Sequence, residues 1–338
     1  TWRDGFEEPI IIRYSVRIVD DEIEIDFSGS SPESTRGINV VLNYTHAYAS
    51  FAVKAAIYPN VPHNEGSFRP VRVSAPAGSI LNALDPAPVA SRQAVGHFVP
   101  SAIFSALANT LPDQLMAPSA DPIWLSVWRG SKPSFIQTIF QVGGTGARPA
   151  KDGLNAIGFP SGVAGVPAEI IESVSPLVMQ KRQLRPNSGG PGTWRGGLGQ
   201  LTQFTNRSDG PWSASCIVDR TKYAAPGLQK GKPGAIGEFI LDNGERPNPK
   251  QQTQFETHQN VHLNTPGGGG YGDPLLRNPE LVRQDVIEGY ITLENAKEDY
   301  GVVIRFTGKE EELVRLPHQW VIDKEKTQKL RSSRSKLK

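Results

Sequence analysis

Four glycine-rich stretches are the places where this sequence could hold an anion: Gly143 to Gly153 (GGTGARPAKDG), Asn187 to Gly199 (NSGGPGTWRGGLG), Gly227 to Gly237, and Thr265 to Pro274 (TPGGGGYGDP). Turns of this kind present backbone N–H groups that commonly cradle phosphate. The spacings argue against that use. GPGTWRGG lacks the Gly-Lys-Ser/Thr ending of a phosphate-binding loop, and GLQKGKPG puts Pro233 where the hydroxyl that holds magnesium belongs. The dinucleotide pattern G-x-G-x-x-G fails at Gly190-Pro191-Gly192 and at Gly144-Thr145-Gly146. These stretches read as loops valued for their backbone path, because glycine lets other groups approach closely.

Other reactive side chains have plainer readings. Glu22, Glu24 and Asp26 alternate with Ile23, Ile25 and Phe27, so the carboxylates line the wet face of a strand. His63-Asn64-Glu65 is a ligand-capable triplet, but metal sites draw on several separate segments, and alone it reads as a turn. His258 and His262 are four apart, which would make a metal pair on a helix; their neighbours are those of a strand, which sets them too far apart. His97 precedes a helix, to cap it or line a cleft. Cys216, in Ser215-Cys216-Ile217-Val218, reads as a buried small hydrophobe. No metal site is assembled from these residues.

The elements that must position such groups are mostly strands. Ile10 to Phe27 forms a hairpin around Asp20-Asp21, and a packed helix over Ala47 to Tyr58 stops at Pro59. A loop leads into the strand Val71-Arg72-Val73. Pro100 to Leu111 has a helical period in Ile103, Phe104, Leu107 and Leu111. Strands are expected at Ile123 to Trp128, Phe135 to Val142, Leu177 to Leu184, Leu201 to Thr205, Ser213 to Val218, Glu238 to Leu241 and Gln254 to Leu263. Beyond them, Asn278-Pro279 opens a short helix to Gly289, Thr292 begins another to Tyr300, and Val302 to Ile304 is the final strand. Lys324 to Lys338 reads as a solvated basic tail. The fold class expected is α+β, a strand-rich mixed fold with glycine-rich loops, divided into residues 1–277 and a short helical C-terminal segment, 278–338.

Composition narrows the classes. With 338 residues the chain can bury a substantial core, and its single cysteine excludes an intrachain disulfide framework. A net charge of +2 favours neither nucleic acid nor a membrane surface as partner. Without a membrane-length apolar run or a signal-like start, the cytoplasm is the expected compartment. The opening Thr1-Trp2-Arg3-Asp4-Gly5 lacks an initiator methionine, so something is expected to precede it.

Six ordered segments carry a family resemblance: DFSGSSPESTRGIN (Asp26 to Asn39), NEGSFRPVRVSAPAGSILN (Asn64 to Asn82), GGTGARPAKDG, FPSGVAGVPAE (Phe159 to Glu169), LRPNSGGPGTWRGGLGQ (Leu184 to Gln200) and TPGGGGYGDP. Over nearly the whole chain, fading after about Arg331, it resembles the hydantoinase B/oxoprolinase family. That resemblance implies a subunit of an ATP-dependent enzyme opening cyclic amides such as hydantoins or 5-oxoproline; related assemblies carboxylate ketones such as acetone and acetophenone. The family's upstream segment, with His and Asp positions resembling ligands for a divalent metal, has no counterpart here, so the chain resembles the C-terminal part of such a subunit. ATP and Mg would be bound by a hydantoinase A-like partner subunit in a hetero-oligomer, inactive without that partner.

On the loops that match the family, the resemblance implies Asp152 or Asp219 as base, Arg195, Arg69 and Arg92 as anion binders, and Asn39 and Asn64 as amide-positioning groups, with Arg220 as a further substrate-binding residue. An unstrained amide is a poor electrophile, and phosphorylating its oxygen turns that oxygen into a leaving group for attack by water. Such an intermediate must be kept from bulk water, which a stiff loop-lined wall against a partner would do. Two alternatives stay open: ketone carboxylation by the same kind of complex, and a non-catalytic scaffold whose glycine loops serve assembly.

Overall fold

A computed structural model describes residues 1–309, 311 and 315–335. Three hydrophobic clusters organise it. The first gathers β2 (Ile10–Ile11), with β1 (Trp2–Arg3) paired to it, β3 (Ser15–Val19), β4 (Glu22–Asp26), α1 (Leu42–Ile57), β5 (Val71–Ser74), which follows the short α2 (Glu65–Phe68), α3 (Gln93–Gly96) and α4 (Phe98–Leu107). β3 and β4 form the expected hairpin, and β5 joins β4 in parallel. Helix α1 begins at Leu42, five residues earlier than its apolar pattern suggests, and ends before Pro59. Lys54 then turns back on the helix end and donates to the carbonyls of Tyr58, Pro59 and Val61.

The second cluster is a β-sandwich. β6 (Trp124–Ser131), β7 (Ser134–Gln141), α5 (Ala168–Val174), β8 (Leu177–Leu184), β9 (Gln200–Asn206), β10 (Trp212–Ile217), β11 (Glu238–Leu241), β12 (Gln252–Phe255) and β13 (Val261–Asn264) form it. The strands make two antiparallel sheets, ordered β12-β10-β6-β7 and β11-β13-β9-β8. Along β6 the period of two puts Trp124, Ser126 and Trp128 inside. Trp128 and Trp212 stack at 5.7 Å, and Trp212 meets Phe255 at 4.7 Å, each pair stabilising by about 0.5–1.5 kcal/mol beyond its buried area. Cys216 is buried in this core, which pushes its thiol up to about 12.

The single strand expected over Gln254 to Leu263 is two strands in opposite sheets. A turn at Glu256 to Asn260, with His258 at a φ of 59°, carries the chain across. His258 and His262 therefore do not share a strand: His258 bonds the Asn206 carbonyl and faces Asp209, while His262 lies in β13.

The third cluster holds α6 (Pro279–Ile287), α7 (Leu293–Tyr300), β14 (Ile304–Phe306) and β15 (Trp320–Ile322), and α8 (Lys324–Ser335) follows it. Asn278 and Thr292 cap their helices as their sequence positions suggest. The expected final strand is not final, since β15 pairs with β14. Nor is the basic tail simply solvated. Over Lys324–Ser335 it is a helix whose Arg331 donates to the carbonyls of Tyr300 and Arg277, anchoring it; residues 336–338 lie outside the described residues.

Between the clusters the four glycine-rich stretches meet in one slab of backbone. Gly268 N–H donates to Gly197 O, Gly190 N–H to Gly268 O, Ala147 N–H to Gly269 O, and Gly270 N–H to Lys232 O, at 2.8–3.0 Å. Side chains have no room there. A Cβ on Gly268 would lie 2.0 Å from the Thr145 carbonyl oxygen, and one on Gly146 would lie 1.6 Å from that of Ala117. The chain is thus an α+β fold with strand-rich sheets, a few helices and a glycine-built centre.

Candidate functional site

The residues singled out by sequence fall into three places. Asn39 is buried and holds a turn, accepting from Ser34 N–H and donating to the carbonyls of Ser34, Arg36 and Pro88. Asn64 caps α2 in a reciprocal box with Ser67. Arg69 and Arg92 are exposed, Arg92 standing 5.7 Å from the Tyr44 ring. None of these four approaches the others' chemistry.

Asp152 and Arg195 do come together, in a charge cluster at the edge of the glycine slab in which Arg195, Arg277 and Asp285 are buried and Asp152 is half-buried. Asp152 accepts from the Arg195 N–H at 2.7 Å and pairs with both terminal nitrogens of Arg277, at 2.6 and 2.7 Å. Arg277 also reaches Asp285 at 2.8 Å, and Arg195 reaches the other oxygen of Asp285 at 3.3 Å. Burial raises the Asp285 carboxyl, while Asp152 and Asp285 outweigh burial at Arg277 and hold its guanidinium more firmly charged. Two arginines and two aspartates balance, every carboxylate oxygen is paired, and the cluster ties α6 to the slab.

Asp219 and Arg220 belong to a different cluster. Asp219 pairs with Lys250 at 2.6 Å and Arg3 at 3.2 Å, and these cations overcome burial to keep its carboxyl below the usual range. Arg3 stands 3.3 Å from the Phe98 ring, and Arg220, in left-handed backbone at a φ of 64°, stands 4.6 Å from it. Asp4 accepts from Thr221, Lys222 and Tyr223 and so fixes the turn after Arg220. Arg220 donates to the carbonyls of Ser119, Asp121 and Ala224.

The residue this frame serves is one that sequence reasoning passed over, Asp121. It is 1 % exposed; Ser101 donates to its Oδ2, and its Oδ1 has no partner among the described residues. Burial pushes its carboxyl up to about 6 against the pull of Arg220, Ser101 and Arg3. Across Arg3, His97 has an Nδ1 without a partner among the described residues, and burial together with Arg3 pushes its imidazole down to about 4, which leaves it neutral at pH 7. The available signal was modest: an aspartate between Ala120 and Pro122, at the mouth of a strand that begins with a tryptophan.

Asp121 lines a cavity of about 10 Å³, the size of one water, with Ser119, Gly143, Gly144, Ile157 and Phe159. Val142, Ile157 and Gly158 also line a larger cleft of about 470 Å³, within the range of small-molecule sites. A buried carboxyl titrating near neutrality, with one oxygen free, can take a proton from a water or return one to a leaving nitrogen. Among the described residues no three His, Cys, Asp or Glu side chains cluster as metal ligands. No helix among them is long and apolar enough to cross a membrane.

Comparisons with known proteins fit this architecture. The chain is 32% identical over 343 residues to the B-type subunit of a putative D-/L-hydantoinase of Pseudomonas sp. (strain NS671), covering 97% of this chain and 56% of that one. An ATP-dependent caprolactamase from Pseudomonas jessenii superposes with a TM-score of 0.72 at 24% identity, over 95% of this chain and 56% of that chain. A nucleotide-free acetone carboxylase superposes with a TM-score of 0.77 at 22% identity, over 97% and 48%. Both likenesses are of fold. The chain spans about half the length of these relatives. The hydantoinase B/oxoprolinase family model matches residues 1–274, from the first strand through the whole glycine slab, and the chain belongs to that family.

Proposed function

We propose that this chain forms part of a subunit of an ATP-dependent enzyme that opens cyclic amides of the hydantoin or 5-oxoproline kind. The observation that carries the reading is the 32% identity to the B-type hydantoinase subunit along 97% of the chain. The site supports it chemically. Once an amide oxygen has been activated by phosphorylation, ring opening needs attack by water and protonation of the departing nitrogen. Asp121, with one free oxygen beside a water-sized cavity, serves as the acid/base group. Arg3, Arg220 and Asp219 act through it, setting its position and its charge.

ATP and magnesium are assigned to a hydantoinase A-like partner, in keeping with the failed phosphate motifs, and a divalent metal to protein outside these residues. The assembly is a hetero-oligomer of the cytoplasm. Asp152 and Arg195 take a structural role in this reading, and Asp219 a positioning one. Asn39, Asn64, Arg69, Arg92 and Arg220 have no assigned contact with substrate. Ketone carboxylation is the second reading, and only the likeness of fold to acetone carboxylase supports it.

The test is ATP turnover by the complete subunit with and without an ATP-binding partner. Hydantoin- or 5-oxoproline-dependent release of ADP in the complex is the expected result. Bicarbonate-dependent carbon–carbon bond formation with acetone, and no response to cyclic amides, would move the assignment to the carboxylases.

A further inference from the structure

At the solvent-facing side of the larger cleft, beside the exposed Ala164 and Gly165, stands the exposed residue Arg182, whose guanidinium the fold orients without using fully. Arg182, on β8, donates Nε to Gln200 Oε1 at 3.1 Å and Nη1 to the Val166 carbonyl at 2.8 Å. Gln200 is itself fixed, 5 % exposed and donating to the Val142 carbonyl at 2.9 Å. Nη2 is left with no acceptor among the described residues, and it lies against Gly165, where a Cβ would come within 2.1 Å of it. The N–H groups of Ala164 and Gly165 likewise have no acceptor among the described residues. Among the described residues no carboxylate lines this cleft of about 470 Å³: its walls are Val142, Ala156 to Gly158, Gly162 to Gly165, Arg182 and Gln200.

A pre-positioned guanidinium edge beside free backbone N–H groups, with no anion opposite, is the chemistry that recognises a carboxylate. We propose that this cleft is a carboxylate-binding site, with Arg182 Nη2 and the Ala164 and Gly165 N–H groups as donors. Resting on the cyclic-amide reading, it would hold a carboxylate already borne by the substrate, as in 5-oxoproline, or the one produced when the ring opens. The cleft and the cavity beside Asp121 are separated by a common wall of Val142, Ile157 and Gly158.

Calorimetric titration of the full chain with three probes tests this: 5-oxoproline, its uncharged analogue 2-pyrrolidinone, and 4-aminobutyrate, the ring-opened form of 2-pyrrolidinone. At least one of the two carboxylates is expected to bind about tenfold or more tighter than 2-pyrrolidinone. Preference for 5-oxoproline identifies a substrate carboxylate, and preference for 4-aminobutyrate a product carboxylate. Arg182→Gln should abolish the preference and leave binding of 2-pyrrolidinone unchanged. Gly165→Ala, which displaces Nη2 but keeps Arg182, should weaken the carboxylates alone, and it carries the test if Arg182→Gln fails to fold. Equal binding of all three, no binding of any, or a preference that survives both substitutions would overturn the proposal. Should the preference hold while the complex opens no cyclic amide, the site stands and the functional reading falls; ring opening without the preference gives the reverse.

Discussion

Two buried charge clusters flank the same glycine slab, and they are finished differently. Around Arg277, two guanidiniums meet two carboxylates, and every carboxylate oxygen has a donor. The atoms it leaves without a partner among the described residues, Arg277 Nε and the Tyr300 hydroxyl, belong to a paired cation and to a phenol that burial keeps protonated. Around Arg3 and Arg220, cations outweigh the carboxylates that are fully paired, and Asp121 keeps an oxygen free beside a cavity. A saturated cluster holds elements together. An unsaturated one leaves a carboxyl oxygen open, which is what the proposed acid/base role requires.

The comparison is broken most directly by removing Arg277. Arg277→Met leaves Asp285 buried, and Asp152 half-buried, without their main partner, and unfolding in urea should show a loss of about 3 kcal/mol. A loss below about 1 kcal/mol would mean that this cluster fastens nothing. Asp121→Asn keeps shape and an acceptor for Ser101 but removes the titrating group. Turnover by the assembled complex should fall about 100-fold or more, with a much smaller change in urea midpoint than Arg277→Met gives. Unchanged turnover would strip Asp121 of its role.

Acid titration sharpens the contrast further. The Asp121 carboxyl is raised from 3.8 to about 6, so its contribution to stability is full below about pH 4 and is lost as pH rises through 6. His97 is lowered from 6.5 to about 4, so its contribution is full above about pH 6.5 and is lost as pH falls through 4. In the native chain the two trends oppose each other. His97→Gln should therefore give a stability that declines from pH 4 to 6, and Asp121→Asn one that declines from pH 6.5 to 4, each by a few kcal/mol at most. Equilibrium denaturation across that range reads both slopes, and equal slopes in the two variants would show that neither group titrates as described. The smallest effect is expected at the surface, where Arg72 pairs with Glu22 across two strands. Arg72→Gln should leave the urea midpoint almost unchanged, an exposed reference for the buried clusters.

Much of the frame was legible in the sequence. Leu177–Leu184 and Glu238–Leu241 are strands over the very residues that their apolar spacing and flanking turns mark, and the Thr292 cap announces α7. What failed did so for local reasons. Polar Thr257-His258-Gln259-Asn260 interrupts a β-like composition without a glycine or proline, so the crossing between sheets was hidden. The lysine-rich tail carries no strong apolar stripe, and only Arg331 finding the carbonyls of Tyr300 and Arg277 reveals that it docks.

The site was harder to read. Asp152 and Arg195 were found because both lie in glycine loops, yet their partners Arg277 and Asp285 come from a segment with a different pattern. Asp121 has neighbours from Arg3, Ser101 and Arg220, positions that no period or motif links. Its environment is a property of the assembled chain.

The glycine slab limits what variation can do in this protein. A wall built of peptide groups has no rotamers to rearrange, so a methyl at Gly268 cannot be absorbed by a neighbour, since the Thr145 carbonyl it meets is backbone. Its amide protons, shared crosswise among Gly190, Gly197, Gly268 and Gly270, should exchange with deuterium among the slowest in the molecule. Any engineering of ligand preference is therefore better directed to the rim, where Arg182 and the Gly162 to Gly165 loop can change without disturbing the masonry behind them.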